Sequence, residues 1–75
     1  MRVDEKRLLT IKEKLALGLS AQDHVYEFML DRVIEERCDE FDYELEEEGF
    51  EIINRDLEPI ATSIFRYRVV ALKES

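Results

Sequence analysis

The chain has 75 residues, a net charge of −8 and a hydrophobic fraction of 45%. This length suits one small domain of marginal stability over residues 1–75, and the hydrophobic content excludes disorder along the whole chain. The charged fraction of 40% is above the usual quarter and the excess is acidic, so the chain should repel nucleic acid and anionic membranes and attract basic partners.

Cysteine content and hydropathy indicate the cellular compartment. The single cysteine, Cys38, cannot form an internal disulfide or a cysteine-based metal framework. The sequence has neither an apolar run long enough to span a membrane nor a charged-then-apolar leader. We therefore expect a cytoplasmic protein in a reducing compartment, without a membrane partner.

The N-terminal region has the spacing of an amphipathic helix. Its aliphatic residues follow one another at steps of three, four and four: Leu8, Ile11, Leu15 and Leu19. Gly18 is placed to end such a helix in the left-handed conformation. We predict a helix from about 4 to 17, with a short edge strand at Met1–Val3 as an alternative.

A second helix is predicted to begin directly after this glycine. Ser20 can cap free N–H groups and Asp23 can favour the positive end of a helix dipole, which predicts an αα-hairpin with a very short turn. Apolar residues then recur at helical steps: Val25, Phe28, Met29, Leu30, Val33, Ile34, Cys38, Phe41 and Leu45. No glycine or proline intervenes before Gly49, so we predict one helix from about 21 to 48. The alternative is a break near Arg37–Asp39.

The last third of the chain has the pattern of two strands. One is predicted from about 50 to 55 and the other from about 62 to 72, where apolar residues alternate with arginine. Asn54–Pro59 has the composition of a loop. The predicted order is α-α-β-β, an α+β fold in which a two-helix hairpin precedes an antiparallel β-hairpin.

A two-stranded sheet is marginal in water and leaves both edges open. Either the N-terminal residues add a third strand or two copies pair their sheets. We predict a homodimer that extends the sheet.

The residues that could carry chemistry form no convergent site. His24 would share a helix face with Glu27 and Asp31, but no nucleophile, glycine-rich loop or second histidine accompanies them. Cys38 lies on the apolar face of the second predicted helix, and we expect it to be a buried core residue. The carboxylates lack the glycine of a calcium loop and the Glu-x-x-His pairs of a di-iron site. We predict no catalytic residue, metal or cofactor, and no enzymatic activity.

One segment of the second strand interleaves aromatic and basic residues, Phe65-Arg66-Tyr67-Arg68. Such a pattern can bind single-stranded nucleic acid. Strand alternation separates the two types onto opposite faces, and the net charge opposes polyanions. We therefore predict core aromatics, arginines paired with carboxylates, and no direct binding of nucleic acid.

Negative charge is concentrated in the middle of the chain. Residues 23–51 carry thirteen acidic and two basic side chains, whereas the remainder carries six acidic and nine basic. Like-charged pairs one helical turn apart, such as Glu40–Glu44 and Glu44–Glu48, each cost about 0.2–0.5 kcal/mol. The compensation must come from the basic residues Arg55, Arg66, Arg68 and Lys73, from a partner, or from both.

These patterns are common to many folds and favour one function. We predict a small non-catalytic interaction or regulatory protein that docks an anionic helix face on a basic protein partner. The predicted contact residues are Glu40, Glu44, Glu47, Glu48 and Glu51. The alternative is a nucleic-acid mimic of the phage or mobile-element type that inhibits a DNA- or RNA-binding enzyme. If residues 35–51 are all helix, their acidic side chains follow one another about every 2.5 Å along the helix axis. Duplex DNA carries one charge per about 1.7 Å.

Overall fold

A computed structural model describes residues 3–73. Along the chain the elements are β1 (Glu5–Leu8), α1 (Ile11–Ala16), β2 (Val25–Val33), α2 (Glu35–Glu47), β3 (Phe50–Ala61) and β4 (Ile64–Lys73). The strands form an antiparallel sheet in the order β1-β2-β4-β3. The α+β class is confirmed, and the predicted order is corrected from α-α-β-β to β-α-β-α-β-β.

The predicted helix from 4 to 17 is too long. Glu5–Leu8 instead pairs with β2 as an edge strand, and the helix is confined to Ile11–Ala16. The N-terminal region thus adds a strand, as one of the two sequence alternatives proposed. That strand lies beyond Met1–Val3, of which only Val3 is within the described residues.

The short helix α1 has well-defined ends. The Thr10 hydroxyl accepts from the Glu13 N–H at 3.2 Å, and the Glu13 carboxylate accepts from the Thr10 N–H at 2.9 Å. This reciprocal capping box satisfies two donors that the first turn leaves free. Gly18 follows the helix with φ of 76°, the left-handed conformation predicted for it.

The predicted helix from 21 to 48 is wrong over its first half, where Val25–Val33 is a strand. A β-bulge explains the error. Arg32 has φ of 59°, and the pairing with β4 shifts between Leu30 and Val33. The bulge returns Val33 to the buried side after three residues instead of two or four. This spacing imitates the period of a helix.

Ser20 and Asp23 form hydrogen bonds with nearby backbone N–H groups, but no helix follows. The Ser20 N–H donates to the Asp23 carboxylate at 3.0 Å, and the Gln22 N–H donates to the Ser20 hydroxyl at 3.2 Å. These bonds close a turn that leads directly into β2. The predicted αα-hairpin is therefore wrong.

The helix α2 begins at Glu35, so the alternative break near Arg37–Asp39 is also wrong. Gly49 ends α2 with φ of 87°, as predicted. The strand that follows runs without interruption over Phe50–Ala61, so the predicted loop at Asn54–Pro59 is wrong. Proline is tolerated there because β3 is an edge strand.

The hydrophobic core lies between α2 and one face of the sheet. Cys38, Phe41 and Leu45 of α2 are buried, and the Phe41 ring meets the Phe28 ring of β2 edge-on, with centroids 5.8 Å apart. The sheet contributes further buried residues: Leu30, Val33, Tyr67, Val69 and Ala71. The core position predicted for Cys38 is confirmed.

The opposite face of the sheet carries ion pairs between β2 and β4. Arg66 pairs with Asp31 at 3.2 Å, and Arg68 approaches Glu27 at 3.7 Å. Tyr67, between them, points into the core with 3% exposure. The separation predicted for the Phe65–Arg68 segment is confirmed, with Phe65 half-buried.

A candidate binding surface on the acidic helix

The helix α2 exposes a face that carries negative charge around one aromatic ring. This acidic outer face consists of Glu36, Asp39, Glu40, Tyr43, Glu46 and Glu47, all exposed. Residues three and four apart share a helix face, so Tyr43 has carboxylates on the turn before it and the turn after it. Its side chain is 65% exposed, which makes it the most exposed of the large hydrophobic residues within 3–73.

Most of these carboxylates have no internal counter-charge. Within the described part of the chain, Glu36, Asp39, Glu46 and Glu47 form no ion pair, and Glu40 approaches Arg37 at 3.4 Å. The sides of the helix, by contrast, carry carboxylates that form ion pairs with Arg37 and Arg55. The acidic outer face is therefore the part of α2 whose charge the fold leaves uncompensated.

A hollow of about 310 Å³ lies beside Tyr43 on the C-terminal half of α2. Its lining consists of Tyr43, Glu44, Glu47 and Glu48. An aromatic ring bordered by carboxylates suits a guanidinium or ammonium group, which gains both a cation–π contact and charge-assisted hydrogen bonds. We call this feature the Tyr43 hollow.

The five predicted contact residues do not share one surface. Glu44, Glu47 and Glu48 line the Tyr43 hollow, and Glu40 lies one turn earlier on the outer face. Glu51 is exposed on β3, opposite Leu72. Since the neighbouring Phe50 packs on the core, strand alternation directs Glu51 to the other side of the sheet. The fold therefore separates Glu51 from the other four residues.

The sides of α2 are stabilised from within the fold. Arg37 pairs with Glu44 at 2.9 Å, two helical turns away, and Arg55 of β3 pairs with Asp42 at 2.9 Å. The Lys73 ammonium donates to the carbonyl of Glu48 at the C-terminal end of the helix. Of the four basic residues expected to offset the helix, Arg55 and Lys73 do so. The expectation was wrong for the other two, which pair with β2 as described above.

Asp42 is the centre of a polar contact at the edge of the core. Its carboxylate accepts from the Tyr67 hydroxyl at 2.6 Å and from the Arg55 guanidinium at 2.9 Å. Burial, followed by the bond to Asp42, raises the pKa of Tyr67 above its ordinary value. Burial, with Asp42 nearby, also raises the pKa of the Cys38 thiol. Both groups are held in their neutral forms, which makes this contact structural.

The residues considered for chemistry are separated by the fold. His24 is exposed just before β2, while Glu27 and Asp31 lie within the strand and pair with arginines. The shared helix face predicted for these three residues is therefore wrong. Among residues 3–73, no three or more histidine, cysteine, aspartate or glutamate side chains are grouped to hold a metal ion.

Two features of the surface were missed from the sequence. Tyr43 was not singled out from the sequence, although helical spacing from the core residues Phe41 and Leu45 would have placed it outside. The second feature is a pocket lined by Lys6, Tyr26, Phe28, Glu48, Phe50 and Lys73. Five of its six residues come from the four strands, and Glu48 follows α2; only the strand order brings them together, so no local pattern indicates the pocket.

Comparison of the chain with protein-family models, curated proteins and solved structures gives no match. No helix within residues 3–73 has both the length and the apolar character needed to cross a membrane.

Proposed function

We propose that the protein is a non-catalytic interaction or regulatory protein that docks the acidic outer face of α2 on a basic protein partner. The Tyr43 hollow is the observation that carries this proposal. An arginine or lysine of the partner would lie against the Tyr43 ring and bind the carboxylates of Glu47 and Glu48. A tyrosine anchor surrounded by charge is a common composition for an interaction hot spot.

The energetics of the helix support the same proposal. Acids near the C-terminal end of a helix oppose its dipole by about 0.3–1 kcal/mol each at low salt. Glu46 and Glu47 lie in that position without an ion-pair partner in the described chain. A cationic partner would offset both the dipole term and the repulsion between neighbouring acids, so docking and helix stability would reinforce each other.

The alternative, a nucleic-acid mimic, has a less favourable charge spacing. The helix is about 20 Å long at 1.5 Å per residue. Five carboxylates lie on its outer face, about one per 4 Å, against about one charge per 1.7 Å in duplex DNA. A general basic partner therefore fits better. Competition by duplex DNA for the captured partner would favour the mimic.

The test is capture of a partner from a lysate of the source cells, followed by measurement of its affinity for two variants. Tyr43→Ala and Glu47→Lys should each weaken binding about tenfold or more, as expected for a hot-spot residue. Glu58→Lys is the matched control, because it makes the same charge change at an exposed position of β3. Equal weakening by Glu47→Lys and Glu58→Lys would mean that only net charge matters and would exclude a specific site.

We also propose a homodimer, now on a different basis. The sheet of residues 3–73 already has four strands, so the argument from a two-stranded sheet no longer applies. However, Leu8, Ile11 and Leu15 remain 58–59% exposed. These aliphatic residues lie close together in the chain, on β1 and α1, and a second copy could cover them. A monomeric mass in sedimentation at the highest soluble concentration would exclude this dimer.

A further inference from the structure

The pocket lined by Lys6, Tyr26, Phe28, Glu48, Phe50 and Lys73 lies where the helix leaves the sheet uncovered. The helix α2 packs mainly over β3 and β4 and meets β2 at Phe28, so the β1 edge of the same face lies beyond the main contacts of the helix. The concavity measures about 460 Å³. That volume falls within the range of about 300–1,000 Å³ that is usual for small-molecule sites.

The wall of the pocket is aromatic. The Phe50 ring meets Tyr26 and Phe28 edge-on, with centroids 5.8 and 5.3 Å away. Tyr26 and Phe50 are only partly buried, in contrast to Phe28 at 1% exposure. The partly open rings offer a surface on which a flat ligand can stack.

Two lysine ammonium groups lie over this wall. Lys6 Nζ is 5.0 Å from the Tyr26 centroid, and Lys73 Nζ is 4.6 Å from the Phe50 centroid. Lys73 also donates to a helix carbonyl. Within residues 3–73, the Lys6 ammonium has no carboxylate or carbonyl partner and lies over the rings of Tyr26 and Phe28.

The surroundings of Lys6 differ from those of the ion-paired arginines. Among residues 3–73, five arginines form ion pairs with carboxylates: Arg7, Arg37, Arg55, Arg66 and Arg68. Lys6 is instead held over an aromatic wall inside a concavity. An incoming anion would replace its weak cation–π contact with a charge-assisted hydrogen bond.

From this arrangement we infer that the pocket binds a small aromatic monoanion, an aryl carboxylate with its ring against Tyr26 and Phe50 and its carboxylate at Lys6. A single negative charge is favoured because Glu48 borders the pocket and the whole chain carries −8. This site shares only Glu48 with the Tyr43 hollow, and the inference does not depend on docking through Tyr43.

Three probes distinguish the contribution of the aromatic ring to binding from that of the charge: indole-3-acetate, its neutral analogue indole-3-acetamide, and acetate. NMR titration of the labelled protein should give saturable shifts at Tyr26, Phe50 and Lys6 with indole-3-acetate. The acetamide and acetate should each bind at least about tenfold more weakly, as expected when one charge-assisted hydrogen bond or the stacked ring is lost. Equal affinity for the acid and the amide would overturn the proposal.

Variants locate the binding. Lys6→Gln should weaken indole-3-acetate about tenfold, whereas Lys12→Gln, which removes the same charge from an exposed position on α1, should leave it unchanged. Tyr43→Ala should also leave it unchanged, which separates this site from the proposed function. Equal loss in both lysine variants, or no saturable shift with the unmodified protein, would exclude a site at this pocket.

Discussion

The Asp42 carboxylate accepts a 2.6 Å hydrogen bond from the hydroxyl of the buried Tyr67. This contact joins α2 to β4, and the bond from Arg55 to the same carboxylate adds β3. It is a charge-assisted bond at the margin of the core, where solvent screens it less than on the surface. The position of α2, and with it the direction of its acidic outer face, depends on this junction.

We therefore expect Asp42→Ala to destabilise the fold. The change leaves the Tyr67 hydroxyl buried without its partner, which should lower the free energy of unfolding by about 1.5–3 kcal/mol. Urea denaturation measures this loss. Asp39→Ala, an exposed change on the same helix, is the control and should stay within about 0.5 kcal/mol of the parent protein.

A double-mutant cycle isolates the bond itself. Tyr67→Phe removes the hydroxyl and keeps the ring in the core. If the hydrogen bond between Asp42 and Tyr67 stabilises the fold, Asp42→Ala should lower the free energy of unfolding by less in the Tyr67→Phe background than in the parent protein. Additive losses would show that Asp42 acts only through its pairing with Arg55.

The raised pKa values of Cys38 and Tyr67 predict a loss of stability at alkaline pH. Their ordinary values are 9.0 and 10.0, and both are higher in the fold. As pH rises, the unfolded chain therefore releases these protons first and binds fewer protons than the folded chain. The stabilisation is complete below about pH 9 and decreases as pH rises toward the folded-state values.

Unfolding in urea at a series of pH values above 8 should show this decrease. In the Cys38→Ala variant the free energy of unfolding should decrease less steeply with pH through pH 9, even though the overall stability is lower. In the Tyr67→Phe variant the free energy of unfolding should decrease less steeply with pH above pH 10. Unchanged slopes in both variants would mean that neither group carries the alkaline transition.

Sequence patterns identified the fold best where one residue has a special backbone role. Gly18 and Gly49 were placed correctly because a positive φ follows a helix end at both positions. The buried row Cys38, Phe41 and Leu45 was also predicted, since it keeps helical spacing within a real helix. Such signals are local, and nothing elsewhere in the chain overrides them.

The failures arose where a local signal was ambiguous or was passed over. The bulge at Arg32 placed Leu30 and Val33 three residues apart, a spacing that a helix shares. The capping box of Thr10 and Glu13 is a readable start signal that would have moved the first helix to its true position. The lysine–aromatic pocket had no local signal at all, because it depends on strand order.

The capping box also carries a titration prediction. The bonds from Arg7 and Thr10 lower the pKa of Glu13 to about 2, from an ordinary value of 4.5. Between these values the unfolded chain binds more protons, so the stabilisation from Glu13 is complete above about pH 4.5 and is lost as pH falls toward 2. Side-chain carboxyl NMR should record the Glu13 titration near pH 2.

In an Arg7→Gln variant the pKa of Glu13 should rise toward its ordinary value, because the bidentate guanidinium contact at 2.7 and 2.9 Å is removed. Lys12→Gln removes a neighbouring positive charge that makes no such bond and should leave the Glu13 titration nearly unchanged. An equal rise in both variants would attribute the low value to general positive charge on α1.

The acidic end of α2 should limit the stability of the protein. Glu46→Gln and Glu47→Gln each remove a carboxylate that opposes the helix dipole and repels its neighbours. Each should raise the free energy of unfolding by about 0.3–1 kcal/mol at low salt, and by less in high salt, where exposed charges are screened. Glu35→Gln is the control at the other end, where an acid favours the dipole, and should lower stability.

The Glu47→Gln variant then tests whether stability and binding oppose each other. If the acidic outer face serves a partner, this variant should be more stable than the parent protein and bind that partner more weakly. A gain in stability with unchanged binding would make Glu47 a solvated residue outside the interface. The paired result is informative because proteins retain destabilising charge most readily where a ligand or partner compensates for it.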